Sequence, residues 1–131
     1  MNKIKHKTIL CVDDDDDDRD LIDGVIKEID DSYKVLKASN GEEALGLLSS
    51  AEALPCLILL DINMPVMSGK ETLKRLKQDQ GYSNIPVVVF TTSSNPSDEA
   101  FFSQFGVPVH TKPDKFHTMV SKVKTFLNVC E

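Results

Sequence analysis

The chain has 131 residues, of which 40% are hydrophobic and 27% are charged. This size and composition are typical of one globular domain with its own hydrophobic core, so we expect residues 1–131 to form a single domain. The net charge of −6 is unfavourable for binding nucleic acid or an anionic membrane through the whole surface.

Short apolar runs recur along the chain from the N-terminal end onward. They predict five strands, at Thr8–Val12, Tyr33–Ala38, Leu57–Leu60, Val87–Phe90 and Val107–Val109. The third and fourth runs are unbroken rather than alternating, which is typical of strands that are covered on both faces.

Amphipathic stretches with helical spacing lie between these runs and after the last one. Their apolar faces predict five helices. The inward-facing residues are Leu21, Ile22, Val25, Ile26 and Ile29; Ala44, Leu45, Leu47 and Leu48; Leu73 and Leu76; Ala100, Phe101, Phe102 and Phe105; and Phe116, Met119, Val120, Val123, Phe126 and Leu127. Five successive strand–helix units indicate a doubly wound α/β fold, with a parallel sheet and helices on both of its faces.

Ligands of such sheets bind beyond the carboxyl ends of the strands. The residues expected there are Asp13, Asp14, Asp61, Thr91, Thr92 and Lys112. Crowded carboxylates repel each other unless a cation lies among them, and oxygen ligands of this kind suit Mg²⁺. An added ammonium group and a hydroxyl donor would complete a site for a phosphoryl group around one carboxylate nucleophile.

Several motifs occur in order at the predicted strand ends and at the entry to the second helix. They are Ile9–Asp14, Asn40–Leu45, Leu57–Gly69, Ile85–Ser93 and the dipeptide Lys112-Pro113. With these motifs the sequence resembles the receiver domain of two-component response regulators over nearly its full length. The resemblance implies a flavodoxin-like (βα)5 fold with strand order 2-1-3-4-5, and a single receiver domain without an output domain.

The resemblance also implies a role for each acidic position. Asp61 would accept a phosphoryl group from a sensor histidine kinase or a histidine phosphotransfer protein. Asp14 would bind Mg²⁺ directly, and Asp13 would do so directly or through water. Asp61 and the backbone carbonyl of Asn63 would complete the protein ligands of the metal.

The two remaining site positions lie after the fourth and fifth strands. The resemblance implies that Thr91 moves toward the phosphoryl group and that Lys112 pairs with it. It further implies a cis bond between Lys112 and Pro113, which would direct the lysine inward and which proline makes accessible. Thr92 is interpreted as a neutral neighbour of Thr91.

Signalling is expected to pass by protein binding, to a downstream protein or to a phosphotransfer protein. The family resemblance points to the surface formed by the fourth helix, fifth strand and fifth helix, through which a homodimer could also form. One position departs from the family pattern: Val109 stands where an aromatic residue is usual, and the adjacent His110 should point to the opposite side of the strand.

The run Asp13–Asp18 is longer than the site needs. We predict that Asp13 and Asp14 form the metal-binding pair and that Asp15–Asp18 begin the first helix, where carboxylates are favoured. A register shift that uses Asp14 and Asp15 is the alternative.

Two other functions are possible for a chain with these motifs. One is a receiver-like interaction module that is never phosphorylated. The other is a small phosphatase or phosphotransferase with an aspartate nucleophile, which would need a second domain for its substrate.

The three cysteines, Cys11, Cys56 and Cys130, match no zinc-binding spacing. They predict reduced thiols in a cytoplasmic protein, with Cys11 and Cys56 as small core residues. The basic segment Met1–Lys7 precedes only five apolar or neutral residues, too few for a signal peptide.

Overall fold

The structure of the chain is a computed structural model that describes residues 7–131, so Met1–His6 and the prediction made for them lie outside the described residues. Strands and helices alternate throughout. The strands are β1 Thr8–Val12, β2 Lys34–Ala38, β3 Leu57–Leu60, β4 Val87–Thr91 and β5 Val109–Thr111. The helices are α1 Asp16–Ile29, α2 Gly41–Ser50, α3 Gly69–Gln78, α4 Pro96–Ser103 and α5 Phe116–Phe126, followed by a 3₁₀ helix at Leu127–Cys130.

The five strands form one parallel sheet in the order β2-β1-β3-β4-β5. This confirms the predicted doubly wound fold and strand order. The order reverses between β1 and β3, so the carboxyl ends of these two strands border the crevice in which such folds bind ligands. That the protein has no output domain stays a prediction.

The sheet separates two hydrophobic cores. One lies under α2, α3 and α4 and contains Leu73, Leu76 and Phe102, and the other lies under α1 and α5 and contains Ile26 and Val123. Every residue of β1, β3 and β4 is buried, which confirms the prediction that the third and fourth runs are covered on both faces. Among residues 7–131, no helix combines the length and the apolar character needed to cross a membrane.

The fifth strand lies two residues later than predicted, at Val109–Thr111 instead of Val107–Val109. The cause is the end of α4. Gly106 adopts a left-handed conformation with φ of 69°, and the Val107 amide donates to the Phe102 carbonyl at 3.1 Å. Val107 therefore closes the helix and packs beneath it, and its apolar character reflects that packing rather than strand pairing.

Two apolar residues assigned to helix faces lie at the surface. Leu21 in α1 is 42% exposed, and Phe116 at the start of α5 is 57% exposed. Helical spacing places a residue on a face but cannot show where the neighbouring helix or sheet ends. Two other predicted members lie just outside their helices, since Phe105 follows α4 and Leu127 begins the 3₁₀ helix.

The prediction of reduced thiols is wrong for two of the three cysteines. Cys56, just before β3, forms a disulfide with Cys130 in the 3₁₀ helix, and their Cα atoms are 5.3 Å apart. The chain separates them by 74 residues, so only the packing of the C-terminus beside the start of β3 brings them together. Cys11 is a free, buried core residue as predicted, and burial raises the pKa of its thiol to about 12.

Reduction of this disulfide is expected to lower the free energy of unfolding by about 2 kcal/mol or more, because the bond restricts the unfolded chain across a long loop. Urea unfolding with and without a phosphine reductant measures the difference. A Cys130→Ser variant is the control and should unfold at the same urea concentration in both conditions. Equal stability of the unsubstituted protein with and without reductant would contradict the prediction.

Candidate functional site

Two aspartates follow adjacent strands at the point where the strand order reverses. Asp13 comes directly after β1, and its amide donates to the Ala38 carbonyl of β2 at 3.0 Å. Asp61 comes directly after β3, and its amide donates to the Val12 carbonyl of β1 at 2.9 Å. Because these bonds extend the sheet ladder by one residue, both carboxylates lie at the same edge, with Asp13 2% exposed and Asp61 8% exposed.

Asp14 joins these two residues in an acidic cluster. One carboxylate oxygen from each of Asp13, Asp14 and Asp61 lies within 4.8 Å of the others. Three hard oxygen donors this close repel each other when ionised, and a divalent cation such as Mg²⁺ relieves that repulsion. The donor set therefore fits a divalent metal.

The N-terminus of α1 separates the two possible registers of the aspartate run. Asp15 is the N-cap residue of α1, and its carboxylate accepts from the Asp18 amide at 3.1 Å. The Asp15 side chain therefore caps the helix, whereas the Asp14 carboxylate belongs to the acidic cluster. This geometry favours the pair Asp13 and Asp14 over Asp14 and Asp15.

The Asp61 carboxyl group lies in an environment that disfavours its charge. Burial is the largest cause and raises its pKa above the ordinary value of 3.8. The Thr91 hydroxyl opposes this effect, the negative charge of Asp13 adds to it, and the Lys112 ammonium again opposes it. One carboxylate oxygen accepts from the Ile62 amide at 2.8 Å, which holds the side chain in place.

Lys112 reaches the cluster from the end of β5. Its Nζ donates to a carboxylate oxygen of Asp13 and to one of Asp18, the latter at 2.8 Å, and its side chain is only 6% exposed. Burial opposes the charge of this group, but the hydrogen bonds to Asp13 and Asp18 outweigh it, so the pKa of Lys112 lies above its usual value of 10.5. Lys112 thus contacts the acidic cluster directly at Asp13.

The cis bond implied before Pro113 is absent, since the peptide bonds within residues 7–131 are all trans. The lysine points inward by other means. Its amide donates to the Thr91 carbonyl at 2.7 Å, and its ammonium is held at the far end by the two carboxylates. These contacts direct the side chain toward the cluster without the cis geometry.

Thr91 and Thr92 differ in their surroundings. Thr91 is the last residue of β4 and is 1% exposed, and its hydroxyl donates to the Ser93 carbonyl at 3.1 Å while lying close enough to Asp61 to lower the pKa of that carboxyl group. Thr92 is exposed. The placement therefore agrees with Thr91 as the site residue.

The loop between β3 and α3 borders the site. Asn63 lies in this loop, two residues after Asp61, and is exposed; a metal contact through its backbone carbonyl stays a prediction. Val66 adopts φ of 67° and is 76% exposed, an unusual backbone conformation for a β-branched residue. The loop closes where the Gly69 amide donates to the Ile62 carbonyl at 2.8 Å.

Val109 and His110 lie on opposite sides of β5, as predicted. Val109 packs against the core under α4 and lines a shallow hollow with Ala100 and Ser103. The His110 ring packs against Phe126 of α5, with ring centroids 4.9 Å apart, and burial lowers the pKa of this histidine.

Sequence reasoning missed two residues that contact the site. Asp18 was predicted only to begin the first helix, but it also binds the Lys112 ammonium. Arg19, which received no role, donates to the backbone carbonyl of Asp13. No local pattern in the sequence identifies Asp18, because its partner Lys112 lies 94 residues away along the chain.

A sequence model described as the response regulator receiver domain matches residues 9–124 of the chain. The polar-differentiation response regulator DivK of Brucella anthropi is 32% identical over 122 residues, which cover 92% of this chain and 96% of that protein. A probable cyclic di-GMP phosphodiesterase of Vibrio cholerae is 34% identical over 128 residues, which cover 97% of this chain but only 28% of that protein.

Two solved structures have a similar fold. The phosphorylated cyanobacterial phytochrome response regulator RcpA superposes with a TM-score of 0.85 at 31% identity, over 95% of this chain and 93% of that one. The Mn²⁺-bound form of response regulator Rcp1 superposes with a TM-score of 0.81 at 30% identity, over 93% and 92% of the two chains.

Proposed function

Because this chain belongs to the response regulator receiver domain family, we propose that Asp61 accepts a phosphoryl group from a phosphohistidine donor and that the phosphorylated protein signals by binding other proteins. One observation carries the proposal. The buried Asp61 lies in one cluster with Asp13 and Asp14, and Asp13 holds the Lys112 ammonium. Carboxylate nucleophile, cation-binding oxygens and ammonium group are the components that phosphoryl transfer to a carboxylate requires.

The chain's own residues position the reacting groups. The Ile62 amide holds one oxygen of Asp61, and this fixes the carboxylate for attack on the phosphorus atom. An O–P bond forms to Asp61 while the N–P bond of the donor breaks, and the imidazole leaves with that electron pair. We assign Lys112 and the Thr91 hydroxyl as donors to the transferred oxygens, because Lys112 binds Asp13 and both groups lower the pKa of Asp61. Attack of water on phosphorus later breaks the O–P bond to Asp61, which releases inorganic phosphate and regenerates the carboxylate.

We assign Mg²⁺ to Asp13, Asp14 and Asp61, with the backbone carbonyl of Asn63 as a further ligand. The crowding of three carboxylates supports this assignment, and the Mn²⁺-bound form of the similar regulator Rcp1 supports a divalent metal in this fold. When bound, the ion neutralises negative charge on the carboxylates and on the phosphoryl oxygens.

A protein is the fitting class of phosphodonor. Three large apolar residues are exposed on segments that begin at the carboxyl edge of the sheet: Leu21 in the first half of α1, Val66 in the loop after β3 and Phe116 at the start of α5. Such side chains contribute strongly to protein interfaces. They favour docking of a sensor histidine kinase or a histidine phosphotransfer protein around Asp61.

The output route is proposed for the surface of α4, β5 and α5, with a homodimer or another protein as the partner. Val109 limits how this surface can respond. It lines the hollow beside α4 and has no aromatic ring that could move between a buried and an exposed position. We propose that movement of Thr91 reaches the surface through the backbone of β4 and β5, which the Lys112 amide joins at Thr91.

Incubation with acetyl phosphate and Mg²⁺ tests the proposed function. The expected result is a mass gain of one phosphoryl group, which is reversed by hydrolysis and does not occur when a chelator removes the metal. Intact-mass spectrometry over time provides the measurement. A protein that gains no mass under these conditions, and also none from a phosphorylated histidine phosphotransfer protein, would be an interaction module instead.

A further inference from the structure

The Lys112 ammonium is held by two carboxylates that have different surroundings. Asp13 belongs to the acidic cluster and also accepts from the Asp15 amide at 3.0 Å through its other oxygen. Asp18 lies outside that cluster, on the third residue of α1, and its side chain is 32% exposed. Lys112 thus bridges the cluster and the first turn of α1.

Both ends of the Asp18–Lys112 contact are fixed by the backbone. The Asp18 amide donates to the cap residue Asp15 at 3.1 Å, which anchors the first turn of α1. The Lys112 amide donates to the Thr91 carbonyl at 2.7 Å, which anchors the end of β5. The 2.8 Å contact between the two side chains therefore joins two rigid elements, and ordering it costs less entropy than ordering an exposed ion pair.

A divalent cation in the cluster would weaken the contact between Lys112 and Asp13. The cation would compete with the ammonium group for Asp13, which both would contact, and the two positive charges would repel each other at short range. Asp18 is then the carboxylate that still opposes displacement of the ammonium group toward solvent. Without the Asp18 carboxylate, no negative charge outside the metal cluster would offset the charge of the Lys112 ammonium, which is almost completely buried.

We propose that Asp18 is a positioning residue that keeps the Lys112 ammonium beside Asp61 when the metal is bound, so that the lysine is in place for the incoming phosphoryl group. This inference rests on the proposed phosphorylation of Asp61 and goes one step beyond it. Lys112 exchanges its Asp13 contact for a phosphoryl oxygen and keeps its contact with Asp18. The ion pair between Asp18 and Lys112 thereby serves the reaction through Lys112 and does not touch the phosphoryl group.

The test compares Asp18→Asn with Asp17→Asn. Asp17 is the adjacent helix residue and is exposed, so its substitution removes the same charge from the same turn. Asp18→Asn should slow phosphorylation by acetyl phosphate about 10-fold, the size typical for loss of a supporting contact behind a reactive group. Asp17→Asn should react at the rate of the unsubstituted protein, and Asp18→Glu should recover part of the loss.

A second readout does not depend on phosphorylation. The side-chain ammonium of a buried, bound lysine exchanges slowly and is detected by ¹H–¹⁵N NMR, whereas a solvated one exchanges too fast. In Mg²⁺-saturated protein, the Lys112 ammonium signal should persist in Asp17→Asn and disappear in Asp18→Asn. If the ion pair only stabilised the fold, Asp18→Asn would lower the melting temperature but leave the rate of phosphorylation unchanged.

The outcomes separate this inference from the proposed function. If the unsubstituted protein is phosphorylated and Asp18→Asn reacts as fast as Asp17→Asn, the positioning role is wrong and the phosphorylation of Asp61 stands. If the unsubstituted protein gains no phosphoryl group, the proposed function fails. The NMR signal then still decides whether Asp18 retains Lys112 against Mg²⁺, and its persistence in Asp18→Asn overturns the inference.

Discussion

Asp61→Asn is expected to abolish the mass gain from acetyl phosphate and Mg²⁺ while leaving the fold intact. An amide is not a nucleophile for phosphoryl transfer, and no other carboxylate of the cluster has the same position after β3. Intact-mass spectrometry at saturating donor measures the result. Asp31→Asn is the matched control, because Asp31 is an exposed residue in the turn after α1, and it should be phosphorylated normally. A phosphoryl group that persists in Asp61→Asn would place the acceptor elsewhere.

The same variant is expected to be more stable than the unsubstituted protein without metal at neutral pH. Burial raises the pKa of Asp61 in the folded state, so the folded protein holds this proton more tightly than the unfolded chain. The stability that this proton contributes is fully present below the unfolded value of 3.8, and it is lost as the pH rises through the folded pKa. The advantage of Asp61→Asn should therefore be small in acid and grow toward neutral pH.

Addition of Mg²⁺ should make the unsubstituted protein more stable than Asp61→Asn. A ligand that binds only the folded state stabilises it by about 2.7 kcal/mol at one hundred times its dissociation constant. The unsubstituted protein should gain this stabilisation, and Asp61→Asn should gain less because it offers one carboxylate fewer to the metal. Urea unfolding across a pH series, with and without Mg²⁺, provides the measurement. Equal stabilisation of both proteins by Mg²⁺ would remove Asp61 from the metal site.

Gly69→Ala is expected to lower the free energy of unfolding by at least about 3 kcal/mol and to slow phosphorylation strongly. A Cβ atom at Gly69 would lie 2.1 Å from the Asp61 carbonyl oxygen and 2.9 Å from the Ile62 Cα atom. Both neighbours are backbone atoms and cannot turn aside as a side chain can. The end of β3 that carries Asp61 would have to move, and this couples the stability loss to the expected loss of reaction rate.

The matched control for this substitution is Gly46→Ala in α2. A Cβ atom at Gly46 meets no heavy atom within 4 Å, so alanine should stabilise the helix by about 0.5–1 kcal/mol without changing phosphorylation. Denaturant unfolding and the time course of the mass gain are measured for both variants. A Gly69→Ala protein with unchanged stability and an unchanged rate would show that the contact of α3 with Asp61 is not close.

The local patterns of the chain predicted the frame of the fold correctly. The unbroken runs at Leu57–Leu60 and Val87–Phe90 fall in β3 and β4, and both strands are buried on both faces. This works because burial on two faces demands apolar residues at every position of a strand. The placement of Asp13, Asp14 and Asp61 followed in turn, since the carboxyl ends of parallel strands meet at one edge of a sheet.

The patterns were less informative where one residue type serves two purposes. Val107–Val109 looked like a strand, but Val107 closes α4 and the strand begins at Val109. Leu21 and Phe116 have helical spacing, but both are exposed. An apolar residue in the sequence shows that burial is favourable; whether it is buried depends on which element lies opposite.

The contacts that complete the site join distant parts of the chain and came from the three-dimensional packing. Lys112 could be expected near the acidic cluster, but its sharing between Asp13 and Asp18 depends on how α1 lies against the end of β5. The bond between Cys56 and Cys130 depends in the same way on where the C-terminus packs. Periodicity and motifs report the surroundings of each residue along its own element, whereas ion pairs and disulfides depend on distances between elements, which are set when the two cores on either side of the sheet are packed.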